Sequence, residues 1–287
     1  MLKLVAMDDS LVATGILVAA TPLGNIRDAS PRLVEALERA DVIAAEDTRR
    51  ARALAAALGA EIRGKVVSNF DHNEKHRAQE LIDVARSGLV LVISDAGMPL
   101  VSDPGHSIVS AAHDAGVRVT CLPGPSAVTT ALALSGLGVG RFIFDGFAPR
   151  KSGARTTWLE SLKGEKRAIC FFESPHRIGA TLAHAAEVLG PERRVAVCRE
   201  LTKTYEEVRR GTLAELAEWA ADGLRGEITV VIDGADSTPA PADEEDLVEA
   251  VLAKVDSGMR LKDAVKDVAK AAGVKVGDLY DAALLRR

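Results

Sequence analysis

The chain of 287 residues is 47% hydrophobic, 27% charged and only 3% aromatic. That much apolar side chain builds one large domain or a few smaller ones around a sizeable core, and it excludes global disorder. A formal net charge of -5 and the shortage of aromatics exclude a polybasic non-specific binder and a protein built on aromatic stacking platforms, so any nucleic-acid contact must use a local basic face.

The opening MLKLVAMDDSLVATGILVAA resembles a secretory signal only faintly, because Asp8 and Asp9 cut its apolar run. No run approaches the roughly 20 apolar residues that span a bilayer, so no membrane association is expected. Strands are expected at 16–21, 42–46, 65–69, 89–95 and 117–122, with amphipathic helices over 31–40, 48–58, 74–87 and 106–115 between them. Strand–helix alternation of this kind implies parallel pairing with helical crossovers. Cys121, Cys170 and Cys198 each sit in an apolar stretch without a CxxC, the pattern of buried free thiols in a reducing, cytoplasmic setting.

Beyond Pro123–Gly124–Pro125, the expected hinge between two lobes, the pattern changes. Strands follow in quick succession at 141–147, 167–173, 194–200, 205–212 and 226–234, with helices near 152–163, 176–189 and 212–221. Closely spaced strands suggest a mixed sheet and a second lobe. ADSTPAPA followed by DEED marks a linker. From Val251 onward eight Lys and Arg face five Asp and Glu at helical spacing, a small basic helical module. The expected fold class is therefore α/β and two-lobed, with a parallel-sheet lobe over 14–123, a mixed-sheet lobe over 124–234, a linker over 235–246 and a helical module over 247–287.

Several familiar motifs come close and fail. Gly59–Val66 (GAEIRGKV) spells a phosphate-binding loop, but Val66 replaces the hydroxyl residue and the order is helix–loop–strand, so it reads as a helix cap and turn. His72 and His76 lie four apart without the HExxH pattern or a third ligand, so no metal site is assigned. Ser126 lacks the second glycine of a nucleophile elbow, and no GxGxxG follows the first strand. More informative are three loops rich in glycine and proline at strand ends: Thr21–Asn25, Ser94–Gly105 and Leu122–Ala127. Ligands bind outside the carboxyl ends of strands in open α/β sheets, so the three loops together define one crevice. The polar clusters AEDTR, FDHNE, FESPHR and RELTKTYE also sit at strand ends, where helix capping and function compete for the same residues.

ATPLGNIRD, AAEDTRR, FDHNE, SDAGMPLVSDPG, LPGPSA, FFESPHR, CRELTKTYEEVRRG and GEITVVI, in this order and spacing, closely resemble the rRNA small subunit methyltransferase I family within the tetrapyrrole-methylase superfamily. The likeness runs over about 14–234, and LKDAVKDVAKAAGVKVGDLY resembles the family's helix-turn-helix-like end. It implies a cytidine-2'-O-methyltransferase whose two lobes hold S-adenosylmethionine between them. Carried onto this sequence, the cofactor site comprises Pro22, Leu23, Asp95, Ala96, Gly97, Leu100, Ser126 and Ala127, joined by Phe172, Leu201, Glu227 and Ile228 from the second lobe. The substrate is a ribose in small-subunit ribosomal RNA, naked or in the assembled small ribosomal subunit, and the protein is expected to be a cytoplasmic homodimer. Methylation of a tetrapyrrole or another small molecule on the same fold is the alternative, although the basic tail argues against it. A non-enzymatic RNA-binding protein is a third reading.

Methyl transfer to a ribose hydroxyl needs in-line alignment first and a positioned base second. His72, Asp47, Glu173 and Lys203 are the candidate bases. His72 stands first for its ordinary pKa near neutrality, and Lys203 qualifies only if burial depresses its pKa. Asp47 and Glu173 serve equally well to orient the ribose. Arg150, Lys151 and Arg155 form a basic loop suited to positioning RNA.

Overall fold

The computed structural model describes residues 11–69, 74–235, 244–272 and 274–286. The first lobe is a five-stranded sheet of β1 (Gly15–Ala19), β2 (Val42–Ala45), β3 (Lys65–Ser68), β4 (Leu89–Ile93) and β5 (Val119–Leu122) in the order β3-β2-β4-β1-β5. Every pair is parallel. Helices α1 (Pro31–Arg39), α2 (Thr48–Leu58), α3 (Glu74–Ala85) and α4 (His106–Asp114) make the crossovers.

The unbroken apolar runs GILVA and LVLVI form the centre because both faces are covered. Alternate residues Leu17, Ala19, Leu91 and Ile93 meet Leu33, Ala36 and Leu37 of α1 and Ala51 and Ala55 of α2. Their neighbours Ile16, Val18, Val90 and Val92 meet Leu81 and Ile82 of α3 and Ile108 and Ala112 of α4. α1 starts where its cap dictates: Ser30 accepts from the Leu33 N–H at 3.1 Å with Pro31 in the first turn. Gly59, the first glycine of the phosphate-loop look-alike, is the left-handed cap that closes α2.

After β5 the chain forms α5 (Ala127–Ser135), a helix not expected from the sequence. Its residues AVTTALALS carry no clean apolar stripe, because the helix is packed into a core: Val128, Ala131 and Leu132 join Cys170, Cys198 and Val231. The second lobe follows with β6 (Phe142–Phe147), α6 (Ser152–Ser161), β7 (Ala168–Glu173), α7 (Ile178–Leu189), β8 (Arg194–Arg199), β9 (Glu207–Thr212), α8 (Leu213–Trp219) and β10 (Ile228–Ile232). The order β6-β7-β10-β8-β9 is mixed as expected, parallel between β6 and β7 and antiparallel elsewhere. A capping box between Thr212 and Glu215 turns β9 directly into α8.

The C-terminal module is three helices, α9 (Glu244–Asp256), α10 (Leu261–Ala272) and α11 (Val276–Leu285), with its own core around Val248, Val251, Val265 and Leu279. Residues 236–243, most of the expected linker, lie outside the described residues. No helix among the described residues is long and apolar enough to cross a membrane. Cys170 and Cys198 are buried, and burial pushes their thiols up to about 12 and about 11, so neither is reactive. Cys121 departs from expectation: it is exposed on the edge strand β5, whose cover is thinner than that of the central strands.

The lobes touch through two strand-end loops. The Asn25 N–H donates to Thr202 Oγ1 at 3.1 Å, and Lys203 lies so close over Gly24 that a Cβ there would stand 2.2 Å from its Cγ. Glycine at 24 is thus required by close approach. Gly24→Ala is expected to lower stability by about 1–3 kcal/mol through overpacking, read from urea unfolding midpoints at unchanged slope.

Candidate active site

The cleft begins with a backbone constraint. Thr21, just past β1, and Gly97, past β4, exchange N–H···O bonds of 2.9 and 3.0 Å. Gly97 sits at φ +83°, where a side chain is strained, and a Cβ there would also press on Leu23 Cδ2 at 3.0 Å. Thr21 is fully buried and its hydroxyl donates to the Ser94 carbonyl at 3.3 Å. Asp95 pins the end of β4 to the start of α2: one oxygen accepts from the Asp47 N–H at 3.1 Å and the other pairs with Arg50 at 3.1 Å. A carboxylate at a helix N-terminus also answers the helix dipole.

Facing this floor, the second lobe brings the ends of β6 and β7 and the start of β10. Together they enclose a cleft of about 380 Å³. Of the expected cofactor residues, Leu23, Asp95, Ala96, Ala127, Phe172, Glu227 and Ile228 line it. Pro22 faces a small adjoining pocket with Thr21, Asp47 and Ser94. Gly97 bridges to Thr21 beneath the floor.

Leu100, Ser126 and Leu201 are not brought to the lining. Leu201 is buried in the layer below, with Leu23, Ala127 and Phe172. Leu100 packs toward the helix-covered core of the first lobe, and Ser126 is the residue preceding α5. Sequence reading missed Glu46, Arg50, Asp103, Phe147, Ser174, Pro175, Gly226 and Thr229 as lining residues, while Glu173, one of the candidate bases, does line the cleft. Glu46 and Asp103 belong to motifs already singled out. Phe147 carried no signal, because a bulge in β6 between Phe144 and Phe147 breaks the alternation that would have assigned its face.

All four left-handed non-glycine residues among the described residues fall in two loops beside the cleft: Leu100 and Ser102 in one, Glu200 and Thr202 in the other. Each costs of order 1–3 kcal/mol, and such conformations concentrate at functional sites.

The candidate bases have structural duties. Asp47 caps α2 and pairs with Arg49 at 2.8 Å; hydrogen bonds from the Arg49 side chain and backbone hold its carboxyl far below the usual range. Glu173 is buried and accepts from the Ser174 N–H at 2.6 Å, from Thr181 Oγ1 at 2.6 Å and from Arg177. Lys203 does not meet the condition set for it as a base. Burial acts to lower its pKa, but hydrogen bonds to Glu200 at 2.9 Å and Glu227 at 3.0 Å outweigh that and raise it, so the ammonium is a donor and a positive strut. His72 lies outside the described residues.

The fold and its cleft match a known class. Residues 15–217 fit the family model of Tetrapyrrole (Corrin/Porphyrin) Methylases, and the chain belongs to that family. Solved structures share the fold: the methyltransferase CobJ at TM-score 0.57 and 22% identity, covering 78% of this chain and 95% of that one. A uroporphyrin-III C-methyl transferase from Thermus thermophilus, complexed with S-adenyl homocysteine, superposes at TM-score 0.53 and 19% identity over 77% of this chain and 96% of its own. Among sequences, the Ribosomal RNA small subunit methyltransferase I of Mycobacterium bovis is 56% identical over 95% of both chains. The protein of that name from Escherichia coli O157:H7 is 38% identical over 93% of both. Within the tetrapyrrole methylases, the chain belongs to the ribosomal RNA small subunit methyltransferase I group.

The ion cluster at the lobe contact sets a pH dependence. The Glu227 N–H at 2.9 Å and the Lys203 ammonium hold the Glu200 carboxyl below its ordinary value. Its contribution is therefore complete above about pH 4.3, the unfolded-state value, and is lost as pH falls through the lower folded-state value. Lys203, raised, contributes below about pH 10.4 and loses it only in more alkaline solution. The stability gap between the parent and Glu200→Gln is expected to be constant from pH 6 to 8 and to close on acidification below about 4.3, measured by urea unfolding at each pH.

Proposed function

We propose that this protein transfers a methyl group from S-adenosylmethionine to the 2'-hydroxyl of a cytidine ribose in small-subunit ribosomal RNA. The observation that carries the reading is 56% identity to a protein named Ribosomal RNA small subunit methyltransferase I across 95% of both chains. The family likeness extends it to a cytoplasmic homodimer.

The cleft suits the cofactor. Its volume of about 380 Å³ is in the roughly 300–1,000 Å³ range of ligand sites. Leu23, Ala96, Ala127, Phe172 and Ile228 offer apolar surface, while Glu46, Asp95 and Glu227 offer carboxylates to a ligand that carries a sulfonium, an ammonium and ribose hydroxyls. The cofactor supplies an electrophilic methyl group on a positively charged sulfur. The chain's part is alignment of the acceptor oxygen, worth up to about 7–11 kcal/mol in favourable intramolecular cases, and acceptance of its proton. Asp47, Glu173 and Lys203 are committed to capping, to holding Arg177 and to the lobe contact. His72, with an ordinary pKa of about 6.5, is the proposed base.

Tritiated methyl transfer to unmethylated small ribosomal subunits, free small-subunit RNA and tetrapyrrole precursors tests the reading. Label is expected on the ribosomal RNA and, after nuclease digestion, on a 2'-O-methylated cytidine. Label on the tetrapyrrole alone overturns it in favour of small-molecule methylation.

The C-terminal module, which from Arg260 onward carries seven Lys and Arg against four Asp, is assigned to RNA affinity, the lysines of that stretch neutralising phosphates. Deleting 240–287 is expected to weaken subunit binding and flatten its dependence on salt while calorimetry shows cofactor affinity unchanged. An unaltered salt slope assigns the module a structural role instead.

A further inference from the structure

Beside the cleft, on the second lobe, lies a separate cavity of about 590 Å³ lined by Phe147, Ala148, Pro149, Arg150, Ser174 and Arg177. Phe147 and Ser174 line both spaces, so the cavity and the cleft share a wall. Its lining holds two arginines and no acidic residue.

Three features point to its occupant. Phe147 is 59% exposed at the end of β6, beyond the bulge, and its ring is braced edge-on by Phe172 at 5.4 Å. An aromatic face held open by a second ring is a stacking surface for an unpaired base. Arg177 is fixed by its Nη2, which donates to the Ala148 carbonyl at 3.1 Å and pairs with Glu173. Its Nη1 is buried and has no hydrogen-bond partner. The guanidinium of Arg177, fixed in this way, lines the cavity, and a phosphate oxygen is the acceptor that fits a guanidinium best. Arg150, exposed on the loop before α6, adds a second cation on the same cavity.

We infer that this cavity receives the target nucleotide, with its base on Phe147, a flanking phosphate between Arg150 and Arg177, and its ribose at the wall shared with the cofactor cleft. The inference rests on the RNA ribose reading above and adds the residues that would select the acceptor. A ribose at that wall presents its 2'-hydroxyl toward the cleft, as in-line transfer demands. The nucleotide class is a single-stranded one, unstacked from its neighbours.

Methyl transfer to unmethylated small ribosomal subunits, as a function of subunit concentration, tests this with the full-length chain. Arg150→Ala is expected to raise the half-saturating subunit concentration and to make the salt dependence of binding shallower by about 0.7 in log–log slope, with cofactor affinity by calorimetry unchanged. Phe147→Ala is expected to weaken subunit binding about five- to a hundredfold, more than it weakens cofactor binding, while Phe147→Tyr restores it. Parent-like saturation in both Arg150→Ala and Phe147→Ala, with the parent active on RNA, overturns the nucleotide pocket alone. A parent protein that transfers no methyl group to RNA overturns the pocket together with the RNA reading.

Discussion

The two-way backbone bridge between Thr21 and Gly97 is the constraint from which the site follows. Parallel strands end without a hairpin to organise their carboxyl ends, so the loops beyond β1 and β4 must be tied by something else. Here a reciprocal pair of N–H···O bonds of 2.9 and 3.0 Å does it, with the buried Thr21 hydroxyl on the Ser94 carbonyl beneath. Because the bridge requires Gly97 at φ +83° with Leu23 close above it, it sets where Leu23 and Asp95 stand in the cleft floor. Asp95 then carries that position to α2 through the Asp47 N–H and Arg50.

The second lobe is held to this floor by a polar contact, and by Leu23 and Val101 packed on the apolar cluster around Leu132 and Leu201, rather than by a shared sheet. Lys203 lies over Gly24, bonded to Glu200 and Glu227, and Thr202 receives the Asn25 N–H. The same segment contains two left-handed non-glycine residues, Glu200 and Thr202. Ion pairs that are partly exposed stabilise weakly, so the strained loop and its charges serve to fix geometry. The result is one cleft with walls from both lobes, where an acceptor can be aligned against a cofactor.

The fold was legible wherever side chains alternate or repeat at a period set by one covered face. Strands β1 to β5 and the crossovers between them follow from buried runs broken by amphipathic segments, and the mixed second sheet from its crowded strands. α5 was not legible, because its exposed face carries Ala133 and Leu134 while Ala131 and Leu132 face a core, so no polar stripe marks it. Cys121 misled for the opposite reason, since an apolar stretch on an edge strand need not be covered. The site was legible as loops, and most of the residues carried over for the cofactor line the cleft. Leu100 and Ser126 belong to the same loops and do not, nor does Leu201 in the connection after β8, since a loop's identity leaves open which of its side chains face inward.

By itself, then, the sequence determined the two-lobed α/β architecture, the three loops that border a ligand site and the family to which the chain belongs. Those properties are local or additive: hydrophobic period, glycine and proline placement, and motif order. Only the tertiary structure decided what individual polar residues do. Lys203 is a strut because Glu227, 24 positions along the chain, lies 3.0 Å from its ammonium. Glu173 is a buried acceptor because Arg177 and Thr181, four and eight positions along the chain, aim their donors at it. Phe147 opens onto a basic cavity because a bulge shifted the register of β6. Each depends on how the folded backbone orients groups near and far along the chain, and electrostatics at a few ångströms is set by that orientation.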